Sequence, residues 1–579
     1  MIRHLAAGMK HALGLHRPGR WLPVRPDDIL LASYPKSGNT WLRFLIANLI
    51  HPDREIGLGN LHQLVLDPEV SVKRDFDRAT RPRFIKSQTS FDPRYRRVIY
   101  VVRDPRDVAI LQYQDLHTLR RSDNEFPMEP FIGQFLTGEL HHDPGSWGDC
   151  AGSWLAARSG HPGFLLLRHE DMLADPAREL TRVAEFAGLP ATPERILQAI
   201  ERSSAHASTR SSWRNALPES HVARIEAAWG DIMAYLGYEL VTRDSRAALN
   251  SSLIGLLAAG AADRTGERRK KIFAGDASGG PDSLAQMDHD SMMKRLINTT
   301  KRALGHTSQG RHFEVFNDDT FIVSFPKSGN TWTRFLIANL LHPEEPANFG
   351  NIDRLIPESE ELTKNQLGRV PRPRIMKSHE YFDARFRKVI YIVRDPRDVV
   401  VSQFHFFRKR RRIADDYSIE QFVTRFVAGE TCDYSSWGGN VASWLVTRHN
   451  SPNFLLLRYE DMVARTAAEL TRVASFLGLG ATPELVAQAV DRSSAEQMRK
   501  LEGANATATV TKDSRQDVPF VRAAKAGGWR TGLPESAVQQ LEAAWGPLMV
   551  YLGYELMFPE KAAVSDVRVP ETLLNGSSR

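Results

Sequence analysis

The chain has 579 residues, which is too long for one hydrophobic core and suits two or three domains. Apolar residues make up 42% of it and charged residues 25%, so a wholly disordered chain is excluded. The only cysteines, Cys150 and Cys432, exclude a disulfide framework, while a net charge of +7 favours an anionic ligand without choosing among nucleic acid, a membrane surface and a nucleotide.

Short β-rich runs alternate with helix-like runs, most clearly in the second half of the chain. The pattern predicts strands at residues 321–325, 388–393 and 453–458, each followed by a helix, at 331–341, 397–407 and 467–477. These strands are almost continuously apolar, as in a parallel sheet that is covered on both faces. The alternation predicts an α/β fold with a central, mostly parallel sheet.

One segment occurs twice. Residues 34–49 read YPKSGNTWLRFLIANL and residues 325–340 read FPKSGNTWTRFLIANL, identical at 14 of 16 positions. Equivalent residues of the two copies are 291 positions apart up to the pair Arg103 and Arg394, and 316 positions apart from the pair Trp213 and Trp529 onward. The first copy therefore lacks residues that the second copy has before this tryptophan. A repeat this long is a duplicated domain and not a solenoid. We predict domains at 1–245 and 292–556, a charged and glycine-rich linker at 246–291, and a tail at 557–579.

The repeated PKSGNTW lies between a strand and a helix, where α/β folds bind anions. Gly329 permits close backbone approach, and Lys327, Ser328 and Thr331 add a charge and hydroxyl groups. The segment therefore predicts a phosphate site. It is not a Walker A motif, which needs a second glycine and a lysine at the helix start. A glycine turn that caps a helix explains the serine and glycine but not the lysine and tryptophan.

PKSGNTW resembles the 5′-phosphosulfate loop of sulfotransferases that use 3′-phosphoadenosine-5′-phosphosulfate (PAPS). The resemblance covers both copies and implies two tandem P-loop-like three-layer folds. It implies that Lys327 contacts the bridging oxygen and the sulfonate. It also implies that the next residues wrap the 5′-phosphate and the adenine edge: Ser328, Gly329, Asn330, Thr331 and Trp332.

The segment KVIYIVRDPRDVVVSQF resembles the family's site for the 3′-phosphate. The resemblance implies that Arg394, just past a strand, and Ser402, on the following helix, contact that phosphate. We interpret the neighbouring Arg397 and Asp398 as solvated residues of a charged helix start.

Lys377-Ser378-His379 resembles the family's K-x-H strand end, which carries the catalytic base. A lone histidine is more often structural, but a lysine two positions earlier, in register before RDPRD, favours the catalytic interpretation. A neutral imidazole can take a proton from an acceptor hydroxyl near pH 7. We therefore expect His379 to be the base, with Lys327 and Lys377 stabilising charge on the leaving phosphate and the transferred sulfonate.

Three further segments of the second copy resemble parts of the family's nucleotide site. Tyr459 of RYEDM is expected to pack against adenine, and Ser494 of SSAEQM to lie near the base, although Ala495 stands where an aromatic residue is usual. Residues 520–529, FVRAAKAGGW, resemble the RKGxxGxW loop over the 3′-phosphate, through Arg522 and Gly527. Two alanines replace the Lys and Gly of that pattern.

The first copy has lost chemistry that the second retains. At the positions of the expected base His379, the 3′-phosphate residue Ser402 and the adenine residue Tyr459, the first copy has Gln88, Leu111 and His169. It also lacks the segment that resembles the RKGxxGxW loop. A neutral amide cannot accept a proton at useful pH. We predict that the first copy is catalytically inactive. Because it keeps Lys36 and Arg103, weak anion or nucleotide binding there stays open.

Five consecutive basic residues, Arg408, Lys409, Arg410, Arg411 and Arg412, follow a Phe-rich stretch in the second copy. They are interpreted as a solvated helix end, with steering of the donor or docking of an anionic acceptor as alternatives. Nucleic-acid binding ranks behind these.

We therefore expect a cytoplasmic sulfotransferase that moves a sulfuryl group from PAPS to a hydroxyl or amine of a small molecule, carbohydrate or lipid. No metal site, nucleic-acid partner or membrane span is expected, and packing of the two copies on one another stays open. The alternatives are a kinase-like nucleotide-dependent transferase and a non-enzymatic scaffold that binds PAPS or its product, adenosine 3′,5′-bisphosphate (PAP). Acceptor identity and oligomeric state are not predicted.

Overall fold

The structure is a computed structural model that describes residues 24–243 and 313–559, with gaps inside both ranges. The residues left out there are 26, 69, 72, 93, 120–126, 142–143, 159–161, 208–212, 360–361, 363, 450, 505–514 and 516–525. The two ranges belong to two compact units, named here the N-terminal unit and the C-terminal unit. The linker at 246–291 and most of the tail at 557–579 lie outside the described residues, so the domain boundaries stay predictions.

Each unit contains one sheet of four parallel strands with the same topology. In the N-terminal unit the order across the sheet is β2-β1-β3-β4, with β1 (Ile29–Ser33), β2 (Phe84–Ser87), β3 (Arg97–Val102) and β4 (Phe164–Arg168). In the C-terminal unit the order is β6-β5-β7-β8, with β5 (Thr320–Ser324), β6 (Ile375–Ser378), β7 (Lys388–Val393) and β8 (Phe454–Arg458).

The central strand of each sheet is buried along its whole length. Ile29 of β1 pairs in register with Phe84 of β2 and Arg97 of β3, and Thr320 of β5 pairs equivalently with Ile375 and Lys388. All five residues of β1 and of β5 are buried. Apolar runs of this length form such strands because both faces of the sheet are covered.

The helices of the N-terminal unit are α1 (Asn39–Ile50), α2 (Leu61–Leu64), α3 (Lys73–Arg78), α4 (Pro105–Leu119), α5 (Met128–Thr137), α6 (Trp147–Arg158), α7 (His169–Ala174), α8 (Pro176–Ala187), α9 (Pro193–Ser203), α10 (Trp213–Ala216) and α11 (Glu219–Tyr235). A short 3-10 turn, Ser204–His206, follows α9.

The helices of the C-terminal unit are α12 (Asn330–Leu341), α13 (Ile352–Leu355), α14 (Lys364–Leu367), α15 (Pro396–Lys409), α16 (Ile419–Val427), α17 (Trp437–Arg448), α18 (Tyr459–Ala464), α19 (Thr466–Leu477), α20 (Pro483–Arg492), α21 (Ala495–Ala504), α22 (Trp529–Gly532) and α23 (Glu535–Tyr551).

Helices pack on both faces of each sheet. Ile29 and Leu31 of β1 share a buried core with residues of α1, α8 and α9. Successive strand side chains point to opposite faces. Tyr100 of β3 reaches Trp154 of α6, with ring centroids 6.1 Å apart, and Tyr391 contacts Trp444 of α17 at 6.0 Å in the C-terminal unit. The predicted three-layer α/β fold in two copies is confirmed.

The predicted elements agree closely with the observed ones. The strand predicted at 388–393 is β7, and the helix predicted at 397–407 is α15, which extends to Pro396 and Lys409. Proline suits the first turn of α15, because its missing N–H would have no partner inside the helix. Within the described ranges, no helix combines the length and apolar character that a bilayer crossing requires.

Candidate active site

The PKSGNTW loop of the C-terminal unit turns sharply between β5 and α12. Lys327 and Gly329 both have left-handed backbone conformations, with φ of 73° and 106°. A left-handed lysine is uncommon and costs conformational energy, a feature that concentrates at functional sites. A Cβ atom on Gly329 would meet Cδ2 of Tyr459 at 2.5 Å. Glycine is therefore required by both the backbone and the ring packed against it.

Asn330, the first residue of α12, ties this loop to the strand before it. Its Nδ2 donates to the carbonyl of Ile322 at 3.1 Å and to Oγ of Ser324 at 3.1 Å. These bonds use Nδ2 alone, so the side chain braces the loop against β5, while among the described residues Oδ1 has no hydrogen-bond partner. The phosphate contact expected of Asn330 stays a prediction.

Ser328 has a buried hydroxyl at the centre of the loop. The residue is fully buried, and within the described residues its Oγ has no hydrogen-bond partner. A buried hydroxyl without a partner costs free energy, which a bound polar ligand would recover. Oγ of Ser37, its equivalent in the N-terminal unit, is in the same condition.

His379 follows β6 and lies beside the end of β5. Its Nδ1 is 2.8 Å from the carbonyl oxygen of Ser324. A carbonyl only accepts, so Nδ1 carries the proton and Nε2 carries the lone pair. Burial, with a smaller contribution from the Lys377 charge, lowers the pKa of His379 to about 3. The ring is therefore neutral at physiological pH and has the tautomer of a base at Nε2.

Lys377 is oriented by a carboxylate that the sequence analysis did not select. Its Nζ lies 2.5 Å from Oε1 of Glu358, and the two residues form an isolated parallel β-bridge. Burial alone would raise the pKa of Glu358, but the adjacent ammonium group holds that pKa below its ordinary value. Lys86 and Asp67 repeat this contact in the N-terminal unit at 3.0 Å. The sequence could have indicated this contact, because an acidic residue recurs at equivalent positions of the two copies, as Asp67 and Glu358.

Arg394 brings three predicted residues together. Its Nη1 donates to the carbonyl of Lys327 at 3.4 Å, and its guanidinium carbon lies 4.2 Å from the ring centroid of Tyr459. The Tyr459 ring in turn meets Trp332 edge to face, with centroids 5.9 Å apart. The loop, the strand end and the first residue of α18 thus form one continuous surface.

Ser494 lies beside the residue that binds Trp332. Nε1 of Trp332 donates to the carbonyl of Ser493 at 2.9 Å, while Oγ of Ser494 accepts from the backbone N–H of Gln497 at 3.4 Å. Ser494 therefore caps α21. Thr331 is half-buried in the first turn of α12, and Ser402 is half-buried on α15.

The loop that contains Gly527 is held by Asp398. The carboxylate accepts from the backbone N–H groups of Gly527 at 2.8 Å and of Trp529 at 2.9 Å. Arg522, predicted in the same loop, lies outside the described residues. Gly527 itself has φ of 79°, which suits glycine.

The interpretation of Arg397 and Asp398 as solvated residues is wrong. Arg397 is 2% exposed and Asp398 4% exposed. Arg397 forms ion pairs with Asp395 at 2.7 Å and with Glu542 at 2.6 Å, and it lies over the ring of Trp529. Charges at a helix start are usually solvated, but here α23 packs over them and supplies the counter-charge.

The same residue positions in the N-terminal unit form a different site. Gln88 stands at the strand end, and His169 lies against Gly38, where the C-terminal unit has Tyr459 against glycine. Burial, with a smaller effect of the Arg103 charge, lowers the pKa of His169 to about 3. Among the described residues neither ring nitrogen of His169 has a hydrogen-bond partner.

The loop lysines of the two units also have different partners. Lys36 forms an ion pair with Asp115 of α4. At the position of Asp115 the C-terminal unit has Phe406, and Nζ of Lys327 lies 4.5 Å from the centroid of that ring. This difference can be read from the sequence, because Asp115 and Phe406 stand at equivalent positions of the two copies.

No cluster of histidine, cysteine or acidic residues suited to a metal ion occurs in the part of the chain that the structure describes.

Comparison with known proteins identifies the family. The sulfotransferase domain family matches residues 26–226 and residues 317–553, one segment in each unit. Sulfotransferase 1E1 of Bos taurus is 32% identical over 234 residues, which are 38% of this chain and 79% of that protein. Cytosolic sulfotransferase 12 of Arabidopsis thaliana is 29% identical over 259 residues, covering 40% of this chain and 77% of that protein.

Among solved structures, mouse sulfotransferase SULT7A1 complexed with PAP is 25% identical, with a TM-score of 0.34 over 41% of this chain and 86% of that chain. The family match spans most of the described residues of both units. The chain therefore belongs to the sulfotransferase family, the PAPS-dependent enzymes that its motifs resemble.

Proposed function

We propose that the C-terminal unit transfers a sulfuryl group from PAPS to a hydroxyl or amine acceptor, and that the N-terminal unit does not catalyse this reaction. One observation carries the proposal. In the C-terminal unit a neutral histidine with its lone pair on Nε2 stands beside Lys377, at the strand end next to the loop of Lys327. In the N-terminal unit these positions hold Gln88 and an ion-paired Lys36.

The loop of the C-terminal unit suits the phosphates of the donor. The first-turn amides of α12 are unpaired inside the helix and attract anions, and the Ser328 hydroxyl is buried without a partner. Lys327 adds a positive charge at the loop, and Arg394 adds a guanidinium group that is 13% exposed. We assign the 5′-phosphosulfate to the loop and the 3′-phosphate to Arg394 and Ser402.

The adenine end of the donor is assigned to the surface beside the loop. Trp332 and Tyr459 present aromatic rings there, and Ser494 lies next to the carbonyl that holds Trp332. Gly527 lies in the loop clamped by Asp398, which we assign with Arg522 to the cover of the 3′-phosphate. These assignments make PAPS a substrate and PAP the released product.

The chemistry then needs one base and two cations. Nε2 of His379 accepts the proton of the acceptor hydroxyl while that oxygen attacks sulfur. The bond between sulfur and the bridging oxygen breaks, and the electron pair leaves with the 5′-phosphate of PAP. Lys327 and Lys377 stabilise the charge that develops on the phosphate and the sulfonate, in a site that positions more than it reacts.

We assign the chain to the cytoplasm and its acceptors to small molecules, carbohydrates or lipids that carry a hydroxyl or amine. Both cysteines are free thiols, and Cys150 is buried. This state suits a reducing compartment.

Two matched substitutions test the division of labour. His379→Ala should abolish transfer of label from PAPS to a panel of phenols, sugars and lipid alcohols, whereas Gln88→Ala should retain nearly all of it. Equal losses in both variants would contradict the proposal. A parent without transfer activity, together with a His379→Ala variant that behaves like it in every assay, would instead favour a scaffold. Stabilisation by ATP with Mg²⁺ but not by PAP would favour a kinase-like enzyme.

A further inference from the structure

We propose that a cavity at the carboxyl end of α15 binds an anionic group carried by the acceptor. The inference rests on the proposed function, because it names the acceptors that the C-terminal unit prefers. These are hydroxyl compounds that also carry a carboxylate, sulfate or phosphate group. The site would select among acceptors without taking part in the chemical step.

The cavity has a volume of about 640 Å³ and lies where the basic run leaves α15. It is lined by seven residues: Arg408, Arg411, Arg412, Ile413, Ala414, Asp415 and Arg515. Four guanidinium groups and one carboxylate give this lining a formal charge of +3. Guanidinium groups bind carboxylates and phosphates through paired hydrogen bonds, so the lining selects anions of these kinds.

A basic helix end is not by itself a binding site, because cations near a helix carboxyl terminus are favoured by the helix dipole. Arg515 argues against that simple explanation. It is separated from α15 by about a hundred residues of sequence, yet its backbone N–H donates to the carbonyl of Lys409 at 3.0 Å. The fold thus adds a further arginine to a segment that already carries excess positive charge.

The acidic residue in the cavity does not neutralise this charge. Asp415 lies 2.6 Å from Nη1 of Arg515, and Nε of Arg408 is 3.8 Å from the same carboxylate oxygen. That Nε atom is buried and has no hydrogen-bond partner among the described residues. Arg411 and Arg412 are exposed at the mouth, where Arg411 adopts a left-handed backbone with φ of 51°.

Phe406 connects the basic run to the catalytic loop. Nζ of Lys327 lies 4.5 Å from the ring centroid of Phe406, and the guanidinium carbon of Arg410 lies 5.5 Å from it. Lys327 and Arg410 are therefore within about 10 Å of each other, a distance over which unscreened charges still interact. Arg410 does not line the cavity, but it is next in sequence to Arg411, which does, so we place the anionic group of the acceptor at this end of the basic run.

The matched probes are para-hydroxyphenylpropanoate and its methyl ester, which differ in the charge and in one methyl group at the end remote from the phenol. The parent protein should show a higher kcat/KM for the carboxylate by about tenfold at low salt, and added salt should reduce this ratio. A double variant, Arg411→Ser with Arg412→Ser, should bring the ratio close to one. The double Arg→Lys variant should keep most of it, because lysine retains the charge.

Arg425→Ser serves as the control, since Arg425 is a partly exposed arginine of α16 whose Nε lies 3.8 Å from Glu430. It should leave the ratio unchanged. A parent that does not distinguish the two probes would overturn the proposal. So would a double variant that loses activity equally on both probes with a raised KM for PAPS, because that result assigns the arginines to donor steering.

A binding measurement separates this site from the proposed reaction. With the protein saturated by PAP, calorimetry should show tighter binding of the carboxylate than of the ester, and the double serine variant should lose the difference. If neither the probes nor any member of the acceptor panel is sulfated but the charge-dependent binding is present, the anion site stands and the proposed function fails. If both probes are sulfated equally and bind equally, the function stands and the anion site is refuted.

Discussion

Lys36 and Asp115 form an ion pair in the N-terminal unit, whereas the equivalent Lys327 of the C-terminal unit lies over the ring of Phe406. An aspartate within reach of the loop lysine supplies the negative charge that a phosphate would otherwise supply. The pair is partly exposed, with 40% of the lysine and 48% of the aspartate side chain accessible. The effect of this ion pair on anion binding is therefore modest, and it adds to the difference between Gln88 and His379.

We expect one tight PAP site per chain, in the C-terminal unit. In a Lys327→Ala background that weakens this site, Asp115→Phe should strengthen residual binding by about threefold to fivefold, the value of one exposed ion pair. Asp77→Phe, at an exposed position of α3, is the control. Calorimetry that finds two equally tight sites in the parent, or no gain from Asp115→Phe, would contradict this expectation.

The contact between Glu358 and Lys377 should matter for catalysis only in the C-terminal unit. Glu358→Gln keeps the size of the side chain but removes the charge that orients the ammonium group, so kcat should fall by about tenfold to a hundredfold. Asp67→Asn makes the equivalent change beside Lys86 and should leave the rate unaltered. Similar losses in the two variants would show that the contact supports folding and not catalysis.

The lowered pKa of His379 predicts a specific pH dependence. A base with a pKa of about 3 is already neutral at pH 5.5, so kcat/KM for a non-titrating alcohol should be level between pH 5.5 and 8. A decline with an apparent pKa near the ordinary histidine value of about 6.5 would contradict the structure.

The same shift affects stability in a defined direction. In the folded state the pKa of His379 is below the unfolded value of about 6.5, so the unfolded state binds more protons between these values. Stability is therefore complete above the unfolded pKa and declines as the pH falls towards 3. His379→Gln does not titrate, and urea unfolding should show a smaller loss on acidification than in the parent.

Buried ion-pair networks should stabilise each unit separately. In the C-terminal unit Arg397 forms ion pairs with Asp395 and Glu542. In the N-terminal unit Arg106 forms the equivalent pairs with Asp104 and Glu226, and all four nitrogen–oxygen distances are 2.6 to 2.7 Å. Removing one partner of a buried pair leaves the other charge uncompensated, at a cost of about 3–5 kcal/mol.

Glu542→Ala and Glu226→Ala are the matched variants for these networks. Amide hydrogen exchange should accelerate in the unit that carries the substitution, with the closing segments most affected. Glu542 accepts from the backbone N–H groups of Met557 and Phe558, and Glu226 accepts from those of Val241 and Thr242. Unchanged exchange in both variants would show that the networks contribute little.

The local sequence was sufficient to predict those parts of the site that are formed by residues close together in the chain. The strand, turn and helix around Gly329 follow from an apolar run, a glycine and a periodic helix pattern, and all three elements are observed. The position of His379 at a strand end could also be predicted, because Lys377 stands two residues earlier in the K-x-H pattern. Such features depend on backbone preferences that act over a few residues.

Contacts between residues that are distant in the sequence could not be predicted in this way. The sequence pattern predicts a solvated Asp398, yet its carboxylate accepts a hydrogen bond from the backbone N–H of Gly527, 129 residues later. The partner of Lys377 comes from a segment that pairs with β6 only after folding. Local patterns carry no information about which distant groups meet, because that depends on how the sheet and helices pack.

The sequence by itself determined the family, the α/β alternation and the residues in which the two copies differ, since each of these can be read from contiguous motifs. Only the tertiary structure decided the tautomer of His379, the neutralisation of Lys36 by Asp115 and the gathering of Arg515 with the basic run. These features arise from charges and hydrogen-bonding groups that burial brings within a few ångströms. Their energies depend on distance and solvent exposure, which no linear pattern of residues specifies.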